Sequence, residues 1–193
     1  VRKPLLTALA ILMLVGIAGA EDFERESAQP GDIDVSVALD SSGQSGNARA
    51  TMRIHARREL VWELITSCPE AMDMIPGLVA CDVVETAADQ SWQRIRQVMN
   101  YSWYVPSVTY EIRATYQRPS YVSIERISGD VRILRGSWDL QSDGAYTVAR
   151  YALDLAPGFW VPRWVVHAAL RRDLPKMLRS LRSRAEASEA AQH

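Results

Sequence analysis

The residues able to do chemistry are few and scattered. The three histidines, His55, His167 and His193, stand far apart in the chain. None has a cysteine or carboxylate at the spacing a metal site uses. There is no nucleophile elbow, no phosphate-cradling glycine loop and no dinucleotide glycine pattern. No metal and no cofactor is therefore expected, and a nucleophilic or metal-dependent enzyme is disfavoured. The catalytic option left is acid–base work in an apolar pocket. His167 and Arg171 lie four apart, which puts them on one face of a helix. A neutral imidazole there could move a proton. The competing reading is a histidine hydrogen-bonded at the pocket edge, because a catalytic base needs a positioned partner that the sequence does not display. Cys68 and Cys81 are the only cysteines. In an oxidising compartment they invite a disulfide, closing a loop worth about 3 kcal/mol in the chain-entropy model; the alternative is two buried thiols. Arg94 and Arg96 share one face of a strand and could meet an anionic group there, or stand in water on the convex side.

Composition narrows the field further. The 193 residues are 48% hydrophobic and 23% charged, with a net charge of −1. That suits one domain with a real core and gives no electrostatic case for nucleic acid. Arg2 and Lys3 precede an apolar run, Leu5 to Ile17, and then Ala18-Gly19-Ala20. This is the pattern of a cleavable signal peptide over residues 1–20, and the run is shorter than the roughly 20 residues a spanning helix needs. Removing Arg2 and Lys3 leaves 20 basic against 23 acidic residues. The expected destination is a bacterial periplasm. Residues 21–31 read as a mobile leader, 32–187 as the domain and 188–193 as a disordered tail.

The element that must position any site is the last one. Phe159 to Ala187 reads as one long helix with Pro162 near its start. Val166, Leu170, Leu174, Met177 and Leu181 recur at three- and four-residue steps and form one apolar stripe. Such a helix spans roughly 40 Å and needs a broad partner. Pro175 cannot donate to the Arg171 carbonyl, so a kink is expected there; the alternative is two helices meeting between Asp173 and Leu174. The partner is a run of strands. Ile33 to Leu39 and Ala48 to His55 make a first hairpin. A short helix begins near Arg58 and stops at Pro69, and another helical turn lies within Ala71 to Ile75. From Leu78 the hydrophobic period becomes two. Strands are predicted over 79–85, 92–103, 108–116, 121–127, 131–140 and 146–155. Their short connections imply an antiparallel meander. The expected class is α+β: a curved antiparallel sheet wrapped around a long C-terminal helix, with room for a ligand between them.

Four segments in this order carry a resemblance. They are Ile54 to Trp62 at the entry of the first helix, Met74-Ile75-Pro76-Gly77 after the second, Gly129 to Trp138 in the sheet, and Asp173 to Arg182 in the last helix. Together they resemble the helix-grip fold of the START-like superfamily, in its polyketide cyclase/dehydrase and lipid-transport branch. Proteins similar to this chain in that branch include coenzyme Q-binding proteins. Where the family has an acidic turn after the first helix, this chain has Thr66-Ser67-Cys68-Pro69. The resemblance implies a hydrophobic-ligand cavity and does not imply catalysis.

The expected cavity lining is Tyr101, Tyr110, Ile112, Leu134, Tyr151, His167, Leu170, Arg171 and Leu174, a choice that depends on which strand face points inward. Trp103, Phe159 and Trp160 are expected at the mouth as a lid or a contact with a membrane, since Trp favours half-apolar interfaces. The expected partner is a hydrophobic small molecule or lipid, with transient membrane contact and no nucleic acid. Transport without catalysis is the first reading, and a cyclase or dehydratase using the same cavity the second.

Overall fold

The structure is a computed structural model that describes residues 33–101 and 106–192. The predicted signal peptide and leader, Trp103 and His193 lie outside the described residues.

Two strands open the domain, β1 (Asp34–Leu39) and β2 (Gly46–Ile54). Along β2 every second side chain turns inward, so Ala48, Ala50, Met52 and Ile54 are buried. The turn between these strands closes on Asp40. Its carboxylate accepts from the Ser45 and Ser42 hydroxyls and the Gln44 N–H. Those hydrogen bonds, Ser45 foremost, hold the carboxyl down to about 2. The Gln44 side-chain amide then donates to the Val161 carbonyl at 2.8 Å and braces the approach to the C-terminal helix.

Helices α1 (Arg58–Thr66) and α2 (Cys68–Met74) follow. The sequence reading ends the first helix at Pro69 and gives the second only a turn within Ala71 to Ile75. In the structure Pro69 instead sits in the first turn of α2, where its missing N–H is harmless. Ser67 caps that turn by accepting from the Glu70 N–H. Leu60, Val61, Trp62 and Leu64 are buried, and the Trp62 ring meets Tyr116 edge-on at 5.8 Å.

The meander runs β3 (Leu78–Thr86), β4 (Trp92–Met99), β5 (Val108–Gln117), β6 (Tyr121–Gly129), β7 (Val131–Asp143) and β8 (Tyr146–Pro157). Strand β4 stops at Met99, short of the predicted Trp103. All described pairings are antiparallel, in the order β1-β2-β8-β7-β6-β5-β4-β3. The first hairpin thus joins the meander through its last strand. This curved, open sheet with a helix in its grip is the α+β helix-grip architecture.

The C-terminal helix has three parts: α3 (Arg163–Ala168), a π-helical turn (Ala169–Asp173) and α4 (Leu174–Ala190). It starts four residues later than predicted, because Pro162 is the capping residue rather than an interior one. The disturbance expected at Pro175 appears one turn earlier. There the Leu174 N–H reaches back five residues to the Ala169 carbonyl, widening the turn that Pro175 would otherwise crowd. The far end corrects the predicted tail, since the helix continues to Ala190. Glu186 and Glu189 accept from the backbone N–H groups of His55 and Arg57, and Arg184 pairs with Glu70 and Asp73 at 2.7 and 2.9 Å. These contacts hold the last turns against the entry to α1 and against α2.

Cys68 and Cys81 are joined by a disulfide, with Cα atoms 5.3 Å apart. It ties the first turn of α2 to β3, which lies at one edge of the sheet. Replacing both cysteines by serine is expected to lower stability by about 2–4 kcal/mol in urea unfolding. An unchanged unfolding midpoint would show that the tie contributes nothing.

Candidate functional site

Between the three-part helix and the concave face of the sheet lies a cavity of about 290 Å3. The strand register explains why it is there. One row across the sheet is Ala114, Ile124, Gly136 and Leu153. Two of these four positions carry almost no side chain, and all four line the cavity. A Cβ at Gly136 would stand 3.3 Å from the Ala152 carbonyl oxygen and 3.7 Å from Ile124, so a larger residue there has to push its neighbours aside slightly. The neighbouring row, Tyr116, Val122, Trp138 and Tyr151, is large and forms the floor. Beyond it Leu140, Ala149 and Met52 are fully buried and close that end. From above, the helix contributes Val166, Leu170, Leu174, Met177 and Leu181, the stripe read from its periodicity.

The mouth lies where the loops converge. Met99, Tyr101 and Val108 come from the ends of β4 and β5, Ile75 and Pro76 from the end of α2, and Pro157 and Phe159 from the end of β8. Asp130 knits this rim together. Its carboxylate accepts from the Thr109 N–H at 2.8 Å, and its carbonyl accepts from the Gly158 N–H at 2.8 Å. Gly129 before it has φ +103°, and a Cβ there would stand 2.3 Å from the Thr109 carbonyl. Only glycine lets the two hairpins approach this closely.

Most of the predicted lining faces this space: Tyr101, Tyr110, Ile112, Leu134, Tyr151, Leu170 and Leu174 all do. His167 and Arg171 do not. With Val166 and Leu170 turned inward, the next residue along the helix is rotated about 100° away, and both side chains are exposed. Phe159 is part of the wall. Trp160, at 77% exposure, projects outward instead. Arg94 is on the outer face of the sheet, paired with Glu85 at 3.3 Å and Glu111 at 3.9 Å.

The sequence reading missed Asp173. It is a buried carboxylate on the cavity wall, three residues after Leu170 in the apolar stripe. Tyr101 donates to its Oδ2 at 3.1 Å, and the Arg172 Nε donates to its Oδ1 at 2.9 Å from the outer side. Burial, then the Asp173 charge, pushes the Tyr101 hydroxyl above the usual phenol range. Burial also pushes up Tyr110 and Tyr151. All three rings therefore remain neutral hydroxyl donors across the ordinary pH range. An acid inside an otherwise apolar stripe was the available signal for Asp173, and a glycine inside a strand was the signal for Gly136.

A model of the family described as polyketide cyclase / dehydrase and lipid transport matches residues 54–182. The chain belongs to this family. Its fold is shared with solved structures of low sequence identity. Human STARD10 aligns at a TM-score of 0.69 and 11% identity, covering 88% of this chain and 75% of that one. A STAR-related lipid transfer protein from Xanthomonas axonopodis aligns at 0.67 and 20% identity, covering 84% and 98%. The Zhui aromatase/cyclase from a Streptomyces species aligns at 0.61 and 18%, covering 74% and 94%. Comparison with curated protein sequences gives no match. In this family member the helix-grip cavity is thus largely apolar, with Asp173 buried in its wall and Asp130 where the loops converge.

Replacing Asp173 by alanine is expected to cost about 1–3 kcal/mol, because the Tyr101 hydroxyl and the Arg172 guanidinium lose their acceptor. In a double-mutant cycle with Tyr101→Phe, chemical unfolding should return a coupling of about 0.5 kcal/mol or more. Strict additivity would mean that the hydrogen bond does not form.

Proposed function

We propose that this protein binds one lipid-like hydrophobic molecule in the cavity beneath its C-terminal helix and carries it without changing it, in a bacterial periplasm. The observation that carries this reading is the cavity: about 290 Å3 of largely apolar space, close to the lower end of typical ligand pockets. Burying each methylene there is worth about 0.8 kcal/mol, so an acyl chain or ring system gains affinity from its apolar bulk alone. The family includes lipid transport in its description, and two of the structural neighbours carry lipid transfer in their names. The periplasmic setting is supported by the signal-peptide pattern of residues 1–20 and by the cysteine pair, which needs oxidising surroundings.

Loading and release call for brief contact with a membrane. Trp160 follows Phe159 at the rim, and Ile127 and Ile133 are exposed on the hairpin whose turn receives the Gly158 N–H. These side chains suit a half-apolar interface. No described helix is long and apolar enough to cross a membrane.

The acid–base alternative has lost its candidate base, because His167 faces outward. A cyclase working in this cavity would turn to Asp173 and Tyr101, which are already engaged with each other and with Arg172.

Gly136→Leu tests the reading directly. The larger side chain would occupy the cavity at the cost of a few tenths of an ångström of adjustment against the Ala152 carbonyl, so an apolar fluorescent probe should bind at least about tenfold more weakly to a variant with an unaltered circular dichroism spectrum. Equal probe affinity would place binding elsewhere. Trp160→Ser should slow lipid transfer between vesicles several-fold while leaving probe affinity intact. Unchanged transfer would remove Trp160 from the docking role.

A further inference from the structure

The charges and hydroxyls inside the cavity select among hydrophobic molecules. Among the described lining residues the charged ones are Asp130 and Asp173, both acidic; no lysine, arginine or histidine is present. An anionic head group would enter an apolar space without a counter-ion and face a carboxylate.

The hydroxyls differ among themselves. Tyr101 is engaged, donating to Asp173. Tyr110 and Tyr151 also line the cavity, from β5 and β8, and neither hydroxyl has a hydrogen-bond partner among the described residues. Neither is sealed within protein. The fully enclosed side-chain polar atoms lacking partners, among the described residues, are the Nε atoms of Arg58 and Arg94. Both hydroxyls therefore meet the open space of the cavity. The Tyr151 ring is fixed by Trp138, whose centroid lies 4.5 Å away. A buried hydroxyl without a partner is costly, and a ligand atom that accepts its proton recovers that cost.

We infer that the cavity is selective for an uncharged apolar molecule carrying a hydrogen-bond-accepting oxygen, such as a ketone or ester carbonyl, received by the Tyr110 and Tyr151 hydroxyls, and that it rejects fatty-acid carboxylates. This rests on the hydrophobic-cavity reading and adds the chemistry of the polar end. The lining offers no cation to a carboxylate, because Arg172 and Lys176 lie outside it and pair with Asp173, while Tyr110 with Tyr151 supply the attraction.

The test uses three probes of equal chain length, an alkane, a methyl ketone and a carboxylic acid, each displacing an environment-sensitive dye from the full chain at neutral pH. The ketone should bind more tightly than the alkane by about two- to tenfold for each hydroxyl that donates, and the acid more weakly than the ketone. In the Tyr110→Phe, Tyr151→Phe double variant, which conserves ring shape, the ketone-to-alkane affinity ratio should fall towards one. An acid that binds as tightly as the ketone would overturn the inference, as would a ratio unchanged in the double variant. If the alkane displaces the dye and the ketone gains nothing, the cavity reading survives and this inference fails. If none of the three displaces it, both fail.

Discussion

A long helix lies across a sheet that does not fill the space beneath it. The helix brings a continuous row of branched and long side chains, from Val166 to Leu181. The sheet answers with a row in which Ala114 and Gly136 leave gaps, flanked by a row of three rings and Val122. Where the opposing residues are Leu140, Ala149 and Met52, the layers meet and the core is solid. Where they are alanine and glycine, the layers are held apart and the void remains. Native interiors usually pack without such voids. This one persists because both walls are anchored elsewhere: the helix by Glu186, Glu189 and Arg184 at its far end, and the rim by Asp130.

That division of labour accounts for what could be read from the residues. The strands and the terminal helix were legible because each has one buried face and a clean period, as in Ile112, Ala114 and Tyr116 or Leu170, Leu174 and Leu181. Seven proposed lining residues followed from the same periodicity. His167 and Arg171 were misplaced because adjacency in sequence was read as adjacency in space; one step along a helix is a large rotation. The π-helical turn was not legible, since only the expected crowding at Pro175 hinted at a local change. Asp173 was missed because a single acid in a stripe reads as a surface residue until Tyr101, more than seventy positions earlier, is brought against it. The joining of β2 to β8 also escaped sequence reasoning, because a pairing between distant strands leaves no local mark.

The polar residues give the cavity its character. A wholly apolar hollow would accept any greasy molecule of suitable size. Here a carboxylate is buried at the wall and held by one tyrosine within and one arginine without, while two further tyrosines keep their hydroxyls unspent. In this arrangement Asp173 and Tyr101 already satisfy each other. The same fold houses proteins named as aromatase/cyclases and as lipid-transfer proteins. The fold alone therefore does not decide between those roles.

The central claim is that the gap between helix and sheet is built for an apolar guest. Native mass spectrometry of the full protein, isolated under mild conditions from the cells that make it, addresses this most directly. The expected spectrum shows the chain carrying a single apolar molecule that is lost on gentle activation and can be recovered in organic solvent. A spectrum of bare chain alone, unchanged after incubation with a lipid extract of the same cells, would contradict it.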